Sequence, residues 1–163
     1  MIIRGNISID DRGFVRFVND FTFKDIKRFY QVSNHEKGFI RAWHGHKIEG
    51  KYAYVARGTA QFGVISMDGL NEMEAKSIRI DPYTLMSQNV AVTLNHSPVA
   101  RTFILSDKDP SILYIAPGNY NGFQTLGEDT IVIFFSTLTL EESRDDDYRQ
   151  DYEKYPIFIK KFR

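Results

Sequence analysis

Short runs in which apolar and polar residues alternate, each closed by a glycine or an Asp/Asn turn, recur along almost the whole chain. Lys51–Ala56 leads into Arg57-Gly58, and Thr59–Met67 leads into Asp68-Gly69, which reads as a further turn. Phe39–His44, Ser77–Ile80, Val90–Leu94, Arg101–Leu105, Leu113–Ala116 and Thr130–Ser136 have the same character. Side chains on a strand point alternately to opposite faces. Strands at such even spacing, with turn signals between them, predict an all-β sandwich or barrel. Tyr52, Tyr54, Phe62, Phe134 and Phe135 read as its core aromatics. One helix is expected, over Glu141–Lys154, where Tyr148, Tyr152 and Tyr155 fall three or four residues apart. With 163 residues and no linker, repeat or low-complexity tract, the chain reads as a single domain, 1–163.

Charge and composition narrow the function. The 21 basic and 21 acidic residues cancel and are interspersed, so the basic stripe expected of a nucleic-acid or membrane partner is missing. The absence of cysteine excludes disulfides and thiolate metal sites. The start, MIIRGNISIDDRG, lacks the basic and apolar regions of a signal peptide. No apolar stretch approaches the roughly 20 residues that span a bilayer. A soluble, cytoplasmic protein is expected.

Residues 41–51, RAWHGHKIEGK, concentrate the chemistry. His44 and His46, two apart on a strand, point the same way and would both line the interior. Five residues separate Gly38 from His44, four separate His46 from position 51, and six separate that position from Gly58. This spacing resembles the first motif of the cupin superfamily and implies a jelly roll. In a metal-binding cupin, position 51 would carry glutamate, and a second motif would add a histidine. Here Lys51 holds the first place and Asn121, within Ile115–Phe123, the second. A protonated ammonium repels a cation and cannot coordinate it, so no metal or other cofactor is expected.

The remaining pocket groups, His44, His46, Lys51 and Arg41, suit an anionic or carbonyl substrate and acid–base work on it. Histidine can remove a proton from carbon beside a ketone. Lys51 can steady the enolate, and Arg41 offers a fork for phosphate. Arg41 lies an odd number of residues from His44, so strand alternation alone does not place it inside. His35 and His96 are assigned no role.

These residues resemble the cupins that rearrange nucleotide-linked 4-keto-6-deoxy sugars, in two branches. Asp10-Asp11-Arg12-Gly13-Phe14, Phe29-Tyr30-Gln31 with Asn34, Arg41-Ala42-Trp43-His44, Gly50-Lys51 and Gly118–Leu126 are similar to segments of the dTDP-4-dehydrorhamnose 3,5-epimerases. That resemblance implies His44 as base, Lys51 as enolate stabiliser, and Arg12 binding the diphosphate across a subunit interface. The epimerases' catalytic tyrosine is not matched, since Ser136-Thr137-Leu138-Thr139 follows the Ile131–Phe135 strand. Ile26-Lys27-Arg28-Phe29-Tyr30, Arg41 through Lys47, and Asp146–Glu153 resemble the sugar 3,4-ketoisomerases instead. In that branch both histidines serve the site, and Tyr30 and Arg41 face substrate. Taken together, the resemblance implies catalytic His44, His46 and Lys51. It also implies substrate contacts at Arg12, Arg28, Tyr30, Gln31, Arg41 and Asn121. The implied protein is a homodimeric isomerase of a nucleotide sugar in cell-surface polysaccharide synthesis. The alternative is a non-catalytic sugar-binding cupin.

Overall fold

A computed structural model describes residues 1–76, 92–94 and 97–158. In chain order the strands begin with β1 (Ile2–Arg4), β2 (Asn6–Asp10), β3 (Gly13–Phe17), β4 (Arg28–Ser33), β5 (Ile40–His46), β6 (Lys51–Arg57) and β7 (Thr59–Ser66). After helix α1 (Met67–Ala75) come β8 (Val92–Leu94), β9 (Ser97–Ser106), β10 (Ser111–Ile115), β11 (Asn119–Thr125) and β12 (Ile131–Ser136). Helix α2 (Leu140–Arg144), β13 (Tyr148–Arg149) and a 3-10 turn (Tyr152–Lys154) form the tail. A five-stranded antiparallel sheet, β1-β10-β6-β12-β4, faces a six-stranded one, β13-β5-β11-β7-β9-β8. This is the expected all-β jelly roll. The β2–β3 hairpin stands apart as a two-stranded sheet.

Period-two alternation gives each sheet two different faces. Ala53, Val55, Leu113, Val132 and Phe134 from the first sheet meet Ala60, Phe62, Leu105 and Phe123 from the second in the interior core. A second core lies on the outer face of the six-stranded sheet. There Trp43, Ile65, Ala100 and Tyr120 are covered by Leu70 and Met73 of α1 and by Tyr155, Ile157 and Phe158 of the tail. Strand β5 therefore sends Trp43 outward and His44 and His46 inward.

Several expectations need correction. Asp68-Gly69 is not a turn but the first turn of α1, whose N-cap Ser66 accepts a hydrogen bond from Gly69 N. The helix expected over Glu141–Lys154 stops at Arg144. Asp145-Asp146-Asp147 places acidic residues at a helix C-terminus, where the helix dipole disfavours them. The chain leaves the helix there, and Tyr148–Arg149 pair as an edge strand with β5 instead. Phe62 and Phe134 are core, but Tyr52, Tyr54 and Phe135 occupy the opposite, half-exposed face of the five-stranded sheet. Ser77–Ile80 and His96 lie outside the described residues.

One irregularity matters for the site. His44 pairs with Asn121 and Arg41 with Phe123, so β5 carries one residue more than β11 between these pairs. This β-bulge turns Arg41 to the same side as His44, which strict alternation forbids. Gly122 lies opposite the bulge. A methyl group there would sit 2.5 Å from Ala42 Cβ and 2.9 Å from the Arg41 carbonyl oxygen. Gly122→Ala is therefore expected to destabilise the protein by about 1–3 kcal/mol through overpacking, measured as a lower urea midpoint.

Candidate active site

The site grows from three rows of inward residues on the five-stranded sheet. Arg28, Ser136 and Lys51 are neighbours across β4, β12 and β6, and Tyr30, Phe134 and Ala53 form the next row. Val32, Val132 and Val55 close the floor. Facing them from the other sheet stand His44, Asn121, Arg41 and Phe123. Between the walls lies a cleft of about 150 Å³ lined by Tyr30, Val32, Arg41, His44, Lys51 and Asn121, closed by Phe123 and Phe134. A second lobe of about 280 Å³ shares Tyr30, His44 and Lys51 with the first. It runs under the tail to Arg28, His46, Arg144, Asp147 and Arg149.

At the end of the barrel a buried charge cluster surrounds Glu49, whose residue exposure is 2%. Arg28 Nη2 donates to its Oε1 (2.9 Å), as does Ser136 Oγ in a short contact. Ser143 Oγ donates to Oε2 (3.2 Å), and Lys51 Nζ lies 3.4 Å from the same oxygen. His46 Nδ1 lies 2.9 Å from Oε2, at ion-pair distance but off the line of an aligned hydrogen bond. On its other side His46 Nε2 is 2.6 Å from Lys51 Nζ. Burial opposes ionisation of Glu49. The contacts from His46, Lys51 and Ser136 outweigh it and hold the carboxyl below its ordinary range. Lys51 is shifted the other way: burial lowers its pKa and Glu49 partly restores it.

Asp146 fixes the loop that carries Glu49. Its carboxylate accepts from the backbone N–H groups of Lys47 (2.8 Å), Ile48 (2.9 Å) and Glu49 (2.8 Å). Gly50 N donates to Thr137 Oγ1 at 2.8 Å, pinning the other end. His44 is half-buried and faces both lobes. Burial, reinforced by the cations Arg149 and Lys51, brings its pKa down to about 4, so the imidazole is neutral at neutral pH. Tyr30 is shifted in the opposite sense: burial, with the negative charge of Glu49, raises its phenol to about 12. The cleft thus presents a neutral imidazole and a protonated phenol beside the Lys51 side chain.

The structure brings most of the expected site residues together. His44, Lys51, Tyr30, Arg41 and Asn121 line the first lobe, while His46 and Arg28 lie at the second. Asn121 Nδ2 donates to the His44 carbonyl oxygen at 2.8 Å and supports the backbone there. Arg41 Nε donates to Asn34 Oδ1 at 2.8 Å. Arg28 is engaged by Glu49 and Ser143. Gln31 is exposed on the far side of β4, because strand alternation that turns Tyr30 inward turns Gln31 out. Arg12 caps the tip of the β2–β3 hairpin in an ion pair with Asp10, outside both lobes. Sequence reasoning missed Glu49, Asp146, Asp147, Ser136, Ser143, Arg144 and Arg149. Glu49 lies in a loop that no periodicity can orient, although it stands only three residues after His46.

The donor set does not fit a metal ion. Lys51 Nζ occupies the space beside His46 Nε2, at hydrogen-bond distance, where a cation would have to sit. Among the described residues no group of three or more His, Asp or Glu side chains is arranged to hold one. No described helix is long and apolar enough to cross a membrane.

Two outcomes follow from this geometry. The folded pKa of His44 lies below the ordinary 6.5, so the unfolded chain takes up the proton first. Stability carried by neutral His44 is full above 6.5 and is lost as pH falls toward about 4; His44→Asn is expected to flatten urea-midpoint profiles across that window. Asp146→Ala leaves three backbone donors without their acceptor and is expected to lower stability by about 1–3 kcal/mol, measured by thermal denaturation.

The chain matches no protein-family model and no curated protein. Solved structures do resemble it. The dTDP-4-dehydrorhamnose 3,5-epimerase from Bacillus anthracis is 20% identical with a TM-score of 0.66, covering 97% of this chain and 85% of that one. QdtA, a sugar 3,4-ketoisomerase from Thermoanaerobacterium thermosaccharolyticum, is 15% identical with a TM-score of 0.59, covering 92% and 87%. The rmlC epimerase of Mycobacterium tuberculosis is 17% identical with a TM-score of 0.62 over 91% of this chain, which spans 66% of that enzyme's length. The chain therefore has the RmlC-like cupin jelly-roll fold shared by these dTDP-sugar epimerases and ketoisomerases.

Proposed function

We propose that the protein is an isomerase of a nucleotide-diphosphate-linked 4-keto-6-deoxy sugar that works without a metal ion. One observation carries the reading: a neutral imidazole, His44, and a buried ammonium, Lys51, line the same small cleft. His44 takes the proton from the carbon beside the ketone, and the electron pair moves onto the carbonyl oxygen. Lys51 stabilises the resulting enolate oxygen. Tyr30, on the opposite sheet and protonated, supplies an O–H from the other wall of the cleft. Return of the proton to the same carbon from that wall is epimerisation. Return by His44 to the neighbouring carbon, with the C3 hydroxyl proton passing to the C4 oxygen, is ketoisomerisation.

Substrate recognition follows from the same cleft. Arg41 offers its guanidinium to the diphosphate, Asn121 supports the base, and Arg28 holds the cationic end of the second lobe. In a homodimer, Arg12 at its exposed hairpin tip would reach the partner's cleft, while Gln31 would act through that interface and not from the pocket. Related folds support the ligand class. A histidine-to-asparagine mutant of QdtA was crystallised with TDP-4-keto-6-deoxyglucose, and ChmJ, a 3'-monoepimerase from Streptomyces bikiniensis, with dTDP-quinovose.

The test is incubation with dTDP-4-keto-6-deoxyglucose in deuterated water, followed by NMR. Deuterium entering C3 or C5 is the result expected of an epimerase, and a 3-keto product that of a ketoisomerase. Binding with neither exchange nor product would overturn the enzymatic reading and leave a sugar-binding module. His44→Asn is expected to slow the reaction by about 100–10,000-fold, the usual contribution of a general base, with the nucleotide still bound.

A further inference from the structure

We propose that Glu49 is a positioning residue: its ionised carboxylate keeps the His46 proton on Nδ1 and holds Lys51 as an ammonium aimed into the cleft. The proposal rests on the isomerase reading for its catalytic consequence, but not for its structural content. The Glu49 side chain is fully buried and lines neither lobe, so it cannot touch a substrate there. Its influence must pass through its neighbours.

The geometry fixes what passes. An ionised carboxylate only accepts hydrogen bonds. Oε2 lies 2.9 Å from His46 Nδ1, off the line of an aligned hydrogen bond but close enough for its negative charge to favour the imidazole proton on Nδ1. Nε2 then carries a lone pair, and at 2.6 Å it takes one N–H of Lys51. Glu49 Oε2 lies 3.4 Å from the same nitrogen, at ion-pair distance, and Lys51 has donor capacity left for the cleft that it lines. Orienting carboxylates play this part behind metal-binding histidines, fixing tautomer and ring angle. Here the lysine ammonium stands where the metal would.

The other groups around the triad act together with Glu49. Arg28 from β4, Ser136 from β12 and Ser143 from α2 satisfy the remaining carboxylate lone pairs. Asp146 lies 3.8 Å from His46 Nδ1, its oxygens already accepting three backbone donors. Lys51 also feels Arg28, which disfavours its charge, and Asp147, which favours it. Among these, Glu49 does most to offset the desolvation of Lys51.

The test begins with the unaltered protein, so no variant need fold. Nitrogen NMR of ¹⁵N-histidine-labelled protein near neutral pH is expected to show His46 neutral and protonated on Nδ1. An Nε2-protonated His46, or an imidazolium beside a neutral Lys51, would overturn the proposal. In Glu49→Gln, which keeps the side chain's shape, the Lys51 titration followed by carbon NMR is expected to fall by about 1–3 pH units, the effect of removing an opposite charge at this range. The alkaline limb of kcat should move down by the same interval while KM stays nearly constant. Lost activity with the Lys51 titration unmoved would overturn the proposal as a merely structural effect. The expected tautomer and titration in a protein that turns over no nucleotide sugar would support the triad and sink the isomerase reading alone.

Discussion

Glu49 is the constraint on which the site depends. A carboxylate taken out of water is tolerated only where partners and hydrogen bonds replace its hydration, and each surrounding element supplies one. Arg28 comes from the edge of the five-stranded sheet, Ser136 from its interior, Lys51 from the next strand, His46 from the facing sheet and Ser143 from the tail. The cluster thus ties both sheets and the first helix of the tail to one buried point. Once the carboxylate is there, removing any cation would strand it. This explains why Lys51, a residue type rarely buried, is held almost completely inside. Such clusters do not by themselves make a fold more stable than an apolar core would. What this one provides is a fixed set of charges at the end of a cleft.

Strand β5 is the second determinant, because it serves two cores at once. Trp43 packs outward against the stacked ring of Phe158, and its Nε1 donates to the Tyr155 carbonyl oxygen, docking the tail. His44 and His46 point the other way. The tail that Trp43 receives also supplies Asp146, which orders the loop behind His46, and Asp147 and Arg149, which flank His44. Packing on the outer face therefore controls geometry on the inner one. Anything that loosens the Trp43 contact releases the groups that set the charge around both histidines.

How much of this was legible depends on what periodicity can carry. Period two put both imidazoles of the His44/His46 pair on one face, but reading Tyr52 and Tyr54 as core chose the wrong face of β6, where Lys51, Ala53 and Val55 point inward. The same rule applied to β4 separates Tyr30 from Gln31, but Phe29, exposed beside them, masks the pattern by putting an aromatic on the outer face. Arg41 was illegible, since a bulge breaks the period and only the space left by Gly122 hints at it. Glu49 was illegible for a different reason: it sits in a loop, and its orientation comes from Asp146, nearly a hundred residues away in sequence. The tail misled because helical spacing of its tyrosines coexists with three consecutive aspartates that end the helix.

Acid and base at such a site come from one physical cause acting on unlike groups. Burial disfavours whichever form is charged. It therefore drives the His44 imidazole down to about 4 and the Tyr30 phenol up to about 12, leaving the first free to accept a proton and the second holding one. Divergent environments of this kind assign acid and base roles without any difference in strand position. Lys51 is the exception that makes the arrangement useful. The same burial would discharge it, and only the carboxylate behind His46 opposes that tendency at contact range. The cleft sets Lys51 beside neutral His44 and Tyr30, with Arg41 a second cation in its lining, and an enolate oxygen formed beside Lys51 would meet that charge with little water to weaken the attraction.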